Sequence, residues 1–232
     1  MTNTTLDARL SCAASFVRVG AVLADIGTDH GYLPIFLLSR GLIERAVLSD
    51  VNSGPLASAR ENVGAAGFIS RCEFVLTDGA VALAGRGITD YTVCGMGGEL
   101  IADIIDRAPH LCDPGLRLIL QPMTRVERLR PYLYSHGFEI LSERYSFADG
   151  KYYVCLHAAY CGEVRDASDE LAYLGEDGPH EDDREEYLGY LSVRKRSLER
   201  AYRGKLKSGE KDAKLEQIIR LIDQRIEKHS KI

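Results

Sequence analysis

An apolar run that ends in a glycine-containing turn constrains the fold of this chain more than any other segment. The run from Val22 to Ile26 has the length of a short buried strand, and Gly27 and Gly31 allow a tight turn. The segment that follows, Tyr32–Ser39, is compatible with a helix. A buried strand, a glycine turn and a helix in this order are typical of the nucleotide-binding edge of a doubly wound α/β sheet.

The charge of this turn indicates which kind of ligand it suits. Asp25 stands at the end of the predicted strand and Asp29 lies inside the turn, where both carboxylates would repel the pyrophosphate of a dinucleotide. The turn therefore favours a ligand that carries an ammonium group, and S-adenosylmethionine carries an ammonium and a sulfonium. The alternative is a glycine-rich turn that binds no ligand.

Acidic residues also follow the next two predicted strands. Residues 45–50 form a second strand that ends in Asp50, and a third strand, residues 72–77, is followed by Asp78 and Gly79. A carboxylate at the tip of the second strand is placed to accept hydrogen bonds from both ribose hydroxyls of an adenosine. Asp78 can meet the adenine amino group, although an acid in this position can also be the N-cap of a helix.

A fourth predicted strand, residues 91–94, ends in the string Gly95-Met96-Gly97-Gly98. Because the carboxyl ends of parallel strands meet at one edge of a sheet, we expect the residues at these four strand ends to form one cofactor site. The predicted cofactor-binding residues are Asp25, Gly27, Asp29, His30, Gly31, Asp50, Val51, Asp78, Gly79, Cys94 and Gly95.

The second half of the chain predicts how the sheet is completed. A fifth strand, residues 116–120, leads to Gln121 and Pro122, and two extended runs (138–147 and 152–160) are joined by an Asp149-Gly150 hairpin turn. Alternating βα units that end in an antiparallel hairpin are the plan of the seven-stranded, Rossmann-like class I methyltransferase fold. The sequence also predicts that the core of this α/β domain is complete by Tyr160.

Composition and charge divide the chain into three parts. The protein has 232 residues and a net charge of −5, but residues 193–232 hold 13 basic and 6 acidic residues, whereas residues 163–186 hold 11 acids. We therefore predict a methyltransferase domain (1–162), an acidic connection (163–182) and a C-terminal pair of coiled-coil-like helices (183–232). Gly204 and Ser208-Gly209 are predicted to break the first of these helices. The basic tail favours contact with a polyanion, or alternatively forms two solvated charged helices.

Several classes of protein are not indicated. The six cysteines are scattered without ligand spacing, so the sequence predicts no metal site and no disulfides, as is typical of the reducing cytoplasm. It shows no apolar run of membrane-spanning length and no signal peptide, which predicts a cytoplasmic protein without a membrane partner. We expect a monomer, with dimerisation through the C-terminal helices as the alternative.

Three strings carry a resemblance to a known family. Asp25-Ile-Gly-Thr-Asp-His-Gly-Tyr-Leu-Pro34, Cys94-Gly-Met-Gly-Gly98 and Leu118-Ile-Leu-Gln-Pro-Met123 together resemble the bacterial tRNA adenine-N1 methyltransferases that modify adenine 22. The resemblance covers nearly the whole chain. It implies S-adenosylmethionine as the methyl donor, tRNA as the acceptor and a coiled-coil C-terminal domain that helps to hold the tRNA.

The end of strand four fits an attack by adenine N1. It lacks the aromatic and amide side chains that many amino-methylating enzymes place there, and N1 has an in-plane lone pair that needs no deprotonation. We predict Asp29, which would stabilise developing positive charge, and Met96, which offers an apolar face to the base, as catalytic residues. The predicted substrate-binding residues are Gly97, Gly98, Gln121, Pro122, Arg194, Lys195, Arg196, Arg200 and Arg203.

Structural roles compete with these assignments at several positions. Met96 can be a packing residue at the start of a helix, Pro122 can simply end its strand, and His30 can organise the turn without touching a ligand. At the level of function, the alternatives are a methyltransferase of the same fold that acts on another RNA or on a small molecule, and a non-catalytic RNA-binding protein that keeps S-adenosylmethionine.

Overall fold

The computed structural model describes residues 5–176, 178 and 181–231, so the outer limits of the predicted domains, at residues 1 and 232, lie outside the described residues. Its centre is a seven-stranded sheet in the order β3-β2-β1-β4-β5-β7-β6. Strands β1 to β5 run parallel to one another, and β7 runs antiparallel to both β5 and β6. The strands are β1 (Ala21–Ile26), β2 (Ile43–Asp50), β3 (Cys72–Leu76), β4 (Asp90–Gly97), β5 (Arg117–Thr124), β6 (Phe138–Ala148) and β7 (Lys151–Tyr160).

Helices cover both faces of this sheet. They are α1 (Ala8–Ala14), α2 (Tyr32–Ser39), α3 (Ser53–Ala65), α4 (Gly98–Asp106), α5 (Val126–Ser135), α6 (Asp169–Leu174), α7 (Arg184–Lys207) and α8 (Ala213–Ser230). Side chains of a strand alternate between the two faces, so Leu23 belongs to the core beneath α1–α3 and Ala24 to the core beneath α4, α5 and α7. The predicted Rossmann-like methyltransferase architecture is confirmed. None of the described helices is long and apolar enough to cross a membrane.

Strand β4 extends further than the sequence predicts. It continues through Gly95 and Met96 to Gly97, and its register against β5 shifts on both sides of Met96. Gly95 has a φ of +81°, a left-handed conformation that glycine adopts without strain. Gly95, Met96 and Gly97, which follow the predicted strand, are therefore an irregular strand end that keeps its pairing with β5, and Gly98 begins α4.

The C-terminal segment is part of the main core. Tyr187, Tyr190 and Leu191 of α7 are buried in the same apolar cluster as β4, β5 and β6, and the ring of Tyr145 lies 4.8 Å from that of Tyr187. The expectation that the core is complete by Tyr160 is therefore wrong. A solvated linker and tail would not bury aromatic rings against the sheet, because burial of that area stabilises the folded chain.

Two further features of this region differ from the sequence analysis. The predicted acidic connection contains helix α6, whose N-cap Ser168 accepts a hydrogen bond from the backbone N–H of Leu171. Helix α7 passes through Gly204 without a break and ends at Lys207. One glycine in a helix costs only about 1 kcal/mol relative to alanine, which a 24-residue helix packed on the sheet tolerates.

A buried ion pair joins α5 to the antiparallel hairpin. Arg130 is fully buried, and its Nε and Nη2 donate to Glu143 Oε1 and Oε2 at 2.7 and 2.8 Å. Its Nη1 donates to the carbonyl oxygen of Ala172 at 3.1 Å, and the hydroxyl of Tyr145 donates to Glu143. A bidentate pair in which every guanidinium nitrogen makes a hydrogen bond is the arrangement in which two buried charges are tolerated.

Removal of one charge of this pair should destabilise the fold strongly. We expect Glu143→Gln to lower the free energy of unfolding by roughly 3–5 kcal/mol, because Arg130 is left as a buried, unpaired charge. The double variant Arg130→Met/Glu143→Leu should lose less than Glu143→Gln alone. Urea unfolding followed by circular dichroism measures both changes, and a double variant less stable than the single one would contradict this account.

Candidate cofactor and RNA-binding sites

A cavity of about 410 Å³, here called the cofactor cavity, opens at the carboxyl ends of β1 and β4. Parallel strands of an open α/β sheet leave a ligand crevice at this edge, where the strand order reverses between β1 and β4. Its lining comes from α1, from the turn after β1 and from the end of β4. The lining residues are Asp7, Arg9, Leu10, Asp25, Gly27, Thr28, Asp29, His30, Gly31, Tyr32, Leu33, Cys94 and Gly95.

Asp25 brings a buried carboxylate to the wall of this cavity. Its side chain is 8% exposed, and its Oδ1 accepts a hydrogen bond of 2.9 Å from the hydroxyl of Thr92 on β4. Burial raises the pKa of Asp25 above its ordinary value, because the ionised form is poorly solvated there. A cationic ligand group in the cavity would compensate that charge, as the sequence predicts.

The two turn glycines have different roles. Gly27 has a φ of +74°, and an added Cβ would overlap the terminal methyl of Met96, so this glycine makes room for a protein side chain. Gly31 has a φ of +69° and lies against Leu48 and Val63 of the core. Both glycines line the cavity, but the close contacts that they permit are with the protein itself.

Asp29 and His30 form the outer rim of the cavity. The two side chains are largely exposed, and His30 Nε2 lies 3.3 Å from Asp29 Oδ2. The His30 ring stacks on Tyr32 at a centroid distance of 5.2 Å, and its backbone carbonyl accepts a hydrogen bond from Asn62. This exposed pair is placed to meet a second molecule at the cavity mouth.

The predicted adenosine contacts lie at the edge of the cavity or outside it. Asp50 ends β2, and its Oδ1 accepts a 2.7 Å hydrogen bond from the backbone N–H of Asn52; the exposed Val51 lies between them. Neither residue lines the cavity. Asp50 directly follows Ser49, whose carbonyl oxygen accepts from the backbone N–H groups of Gly27 and Thr28, so it borders the turn.

Asp78 and Gly79 are not part of the cavity lining. Asp78 forms an ion pair with Arg107 at 2.7 Å, and this hydrogen-bonded partner lowers the pKa of the carboxyl. Gly79 faces Ile104 and the guanidinium of Arg107. Helix α4 and its C-cap Arg107 thus supply partners for both residues, and local sequence cannot predict this pairing because Arg107 lies 29 residues further along the chain.

A hydrogen-bonded group on the other side of the cavity joins Arg9, which the sequence analysis missed, to Gln121, which it predicted to bind the substrate. Gln121 on β5 is fully buried, and its Oε1 accepts from Arg9 Nη1 at 2.9 Å and from the backbone N–H of Gly95 at 3.1 Å. The amide therefore organises the site beneath the cavity instead of lining it. It also holds the Arg9 guanidinium at the cavity, as a candidate partner for a carboxylate ligand.

The thiol of Cys94 faces the same cavity in a neutral form. Burial, with a further contribution from the charge of Asp25, raises its pKa well above the ordinary value. It therefore contributes surface to the cavity and no reactive anion. Within the described parts of the chain, no group of three or more histidine, cysteine or acidic side chains could hold a metal ion.

The two glycines after Met96 mainly make room for the residues at and just after the end of β5. An added Cβ on Gly98 would lie 2.5 Å from the carbonyl oxygen of Arg125, and one on Gly97 would lie 3.3 Å from the hydroxyl of Thr124. Pro122, which pairs with Met96, lines a second cavity of about 280 Å³ together with residues of β7 and α7. We call it the tyrosine cavity, because Tyr152, Tyr153 and Tyr190 are part of its lining.

The predicted RNA-binding cations of α7 fall into two groups. Arg194 pairs with Glu127 at 2.8 Å, and Lys195 pairs with Asp223 of α8 and with Glu199. A second group is exposed, and among the described residues none of its members has an ion-pair partner. This group, the basic stripe, follows one face of the helix at intervals of four, three and four residues: Arg196, Arg200, Arg203 and Lys207.

The sheet order, the antiparallel last strands and a cavity at the switch point define the class of this protein as a Rossmann-like methyltransferase. A family described as "Methyltransferase domain" matches residues 6–156. A curated tRNA (adenine(22)-N(1))-methyltransferase of Bacillus subtilis is 33% identical over 153 residues, which are 66% of this chain and 64% of that relative's length.

Solved structures extend the similarity to the C-terminal helices. A proposed tRNA (m1A22) methyltransferase of Streptococcus pneumoniae, in complex with S-adenosyl-L-methionine, is 32% identical with a TM-score of 0.80, and 96% of this chain and 100% of that chain are covered. A protein of the NADB-Rossmann superfamily from Streptococcus agalactiae is 30% identical, with a TM-score of 0.78 and coverage of 96% and 97%. The chain belongs to the methyltransferase-domain family and, within it, to the family of the tRNA (adenine(22)-N(1))-methyltransferases.

The buried charge of Asp25 should reduce the stability of the ligand-free protein. A pKa that is raised in the folded state means that stability falls as the pH rises from about 3.9, the value for an unfolded chain, through the folded-state pKa. We expect Asp25→Asn to match the wild type in acid and to be more stable by on the order of 1 kcal/mol at neutral pH. Urea unfolding between pH 4 and pH 8 gives the difference, and equal stabilities at pH 7 would contradict the prediction.

Proposed function

We propose that this protein transfers a methyl group from S-adenosylmethionine to N1 of an adenine in tRNA, at position 22, and that it works as a monomer in the cytoplasm. One observation carries the proposal: the similarity to the S-adenosyl-L-methionine complex spans the whole chain, including the two C-terminal helices. A similarity limited to the sheet would support only a methyltransferase of unknown acceptor.

The residues of the cofactor cavity fit the two charged groups at the methionine end of S-adenosylmethionine. The buried Asp25 carboxylate suits the ammonium, and the Arg9 guanidinium suits the carboxylate. Gly95, with a φ of +81°, brings backbone close to the ligand, and an added Cβ there would lie 3.8 Å from Arg9 Nη1. Asp50, at the border of the glycine turn, is then the candidate for the ribose hydroxyls.

The reaction requires little from the protein beyond alignment of the two reactants and stabilisation of the charge that develops on the base. When bound, S-adenosylmethionine supplies a methyl group on a sulfonium, and its transfer moves the positive charge from sulfur to the adenine ring. Adenine N1 attacks with its own lone pair, so no general base is required. The exposed carboxylate of Asp29 stands at the mouth of the cavity, where it can stabilise the positive charge that develops on the base. Met96 contributes an apolar surface beside the reacting groups.

Nucleoside analysis tests the proposed function directly. Unmodified tRNA is incubated with the protein and S-adenosylmethionine, digested and analysed by mass spectrometry for 1-methyladenosine, and a tRNA with guanine at position 22 serves as the control. We expect 1-methyladenosine only with adenine 22. Methylation of another position would support an enzyme acting on other RNA, and cofactor binding without any methylation would support the non-catalytic alternative.

Two ligands separate the proposed roles of Arg9 and Asp50. Arg9→Met should weaken the binding of S-adenosylmethionine by roughly 10- to 100-fold, the scale of one charge-assisted hydrogen bond, but should leave methylthioadenosine binding unchanged because that ligand lacks the amino-acid group. Asp50→Ala should weaken both ligands by a similar factor, since both contain the ribose. Calorimetry gives the four affinities. If Arg9→Met weakens both ligands equally, the arginine supports the fold of the site and does not bind the carboxylate.

Asp29 should influence turnover more than binding. We expect Asp29→Asn to reduce single-turnover methylation at saturating S-adenosylmethionine and tRNA by a factor on the order of 10–1000. The neighbouring His30→Gln, which replaces the side chain 3.3 Å from Asp29 but keeps the carboxylate, is the matched control and should retain most of the rate. Quenched-flow methylation assays measure both, and a rate that is unchanged in Asp29→Asn would assign the residue to binding alone.

The basic stripe should provide the phosphate contacts of α7. We expect Arg196→Gln/Arg200→Gln/Arg203→Gln to weaken tRNA binding and to reduce the slope of log affinity against log salt by about 2–3, because each phosphate contact contributes nearly one unit. The control Lys211→Gln/Lys214→Gln/Arg220→Gln removes the same charge from α8 and the loop before it, where all three side chains form ion pairs within the protein. It should change the slope little.

Fluorescence anisotropy of labelled tRNA over a range of salt concentrations measures these slopes. Point variants are preferable to truncation of the tail, because α7 is part of the core of the sheet. Equal slopes for the two triple variants would mean that net charge alone governs binding, and that the stripe makes no specific phosphate contacts.

A further inference from the structure

The function proposed so far does not involve the tyrosine cavity, but the position of this cavity indicates a role. It lies beyond the end of β5, between the β6–β7 hairpin and α7. Its volume of about 280 Å³ is at the small end of the range of ligand pockets, which suits a single base or nucleoside. The cavity is therefore too small for an RNA strand but large enough for one extruded base.

The end of β4 connects the linings of the two cavities. Cys94 and Gly95 line the cofactor cavity, and the next two residues, Met96 and Gly97, pair with β5 residues that line the tyrosine cavity. The Met96 side chain points back to Gly27 in the glycine turn. The donor and the acceptor of a methyl group must meet in line within a few ångströms, so a base in the tyrosine cavity would have to meet the cofactor at this end of β4.

The tyrosine cavity also provides the aromatic side chains that the end of β4 lacks. Tyr152 and Val154 of β7 and Tyr190 and Val193 of α7 belong to its lining. Two aromatic rings outside the cavity pack against this lining, Tyr145 at 5.2 Å from the ring of Tyr190 and Phe147 at 4.7 Å from the ring of Tyr152. An aromatic and aliphatic lining of this kind receives the faces of an unstacked base.

The charge around the cavity suits a nucleotide. Arg125, Lys151 and Arg194 are among its lining residues, and no acid is found among the described residues that line it. Val193 and Ser197 of α7 belong to the lining as well, and Arg196 and Arg200 of the basic stripe are their immediate neighbours on the helix. The phosphates on either side of a base in the cavity would therefore lie beside cations, in a protein whose net charge is −5.

We infer that the tyrosine cavity receives the adenine to be methylated, extruded from the tRNA, with its N1 edge toward the end of β4, where Gly95 lines the cofactor cavity. This inference rests on the proposed function. It assigns Tyr152, Tyr190 and Val193, which come from the hairpin and the C-terminal helix, to the positioning of the substrate base. Extrusion of a base from its stack costs a few kcal/mol, which apolar contacts in the cavity and phosphate contacts on α7 would offset.

Filling the cavity tests the inference. Val193 is 41% exposed, so Val193→Trp places a large side chain in the cavity without disturbing the core, and Ser197→Trp fills it from the next turn of α7. Leu206→Trp, at an exposed position of the same helix outside the cavity, is the control. We expect both filling variants to lose roughly 100-fold or more in single-turnover rate at saturating tRNA and cofactor. Their affinities for S-adenosylmethionine and tRNA should stay within about threefold of the wild type, since the cofactor cavity and the basic stripe are intact.

A fluorescent base gives a readout that does not depend on turnover. With 2-aminopurine at position 22 of the tRNA and S-adenosylhomocysteine bound, the wild type and Leu206→Trp should change the fluorescence on binding, and the filling variants should not. Undiminished methylation by both filling variants would overturn the inference while the proposed function stands. An equal loss in Leu206→Trp would overturn it too, as an effect on the helix. Failure of the wild type to methylate tRNA would instead refute the proposed function.

Discussion

The buried amide of Gln121 is the contact on which both cavities depend. It accepts hydrogen bonds from Arg9 of α1 and from the backbone N–H of Gly95, and its Nε2 donates to the carbonyl oxygen of Pro122 at 3.1 Å. Three segments that are distant in the sequence are thereby fixed around one group without solvent access. Because an unmade hydrogen bond of a buried group costs about 1–3 kcal/mol, the amide specifies the irregular end of β4 as well as the position of Arg9.

Function and stability oppose each other at Asp25. The fold places this carboxylate where burial raises its pKa, although a neutral residue could pack in the same position and accept the hydrogen bond from Thr92. Under the proposed function, this cost would be recovered when the ammonium group of the cofactor binds beside Asp25. The glycines of the turn serve the same site indirectly, since Gly27 accommodates Met96 and thereby fixes the end of β4, which connects the linings of the two cavities.

Local pattern was sufficient for most of the fold but not for the contacts that complete the site. Helix α2 has the predicted bounds, Tyr32–Ser39, because its apolar residues and the preceding left-handed glycine are local signals. Arg9 was missed because its partner, Gln121, is 112 residues away and nothing near Arg9 marks it as different from other surface arginines. The same limit explains Asp78, whose pairing with Arg107 depends on how α4 packs, and the predicted helix break at Gly204, where packing outweighs propensity.

Under the proposed function, helix α7 links the methyltransferase domain to the tRNA, because each face of the helix has a different environment. Tyr187 and Leu191 are buried in the core of the sheet, Val193 lines the tyrosine cavity, and the basic stripe faces solvent. A mobile basic tail would raise the local concentration of tRNA but could not orient it. A helix anchored in the core holds its cations in a fixed position relative to the cofactor cavity, while the acidic remainder of the protein disfavours other approaches. Under the proposed function, the phosphate contacts that supply affinity would also define which residue of the RNA reaches the end of β4.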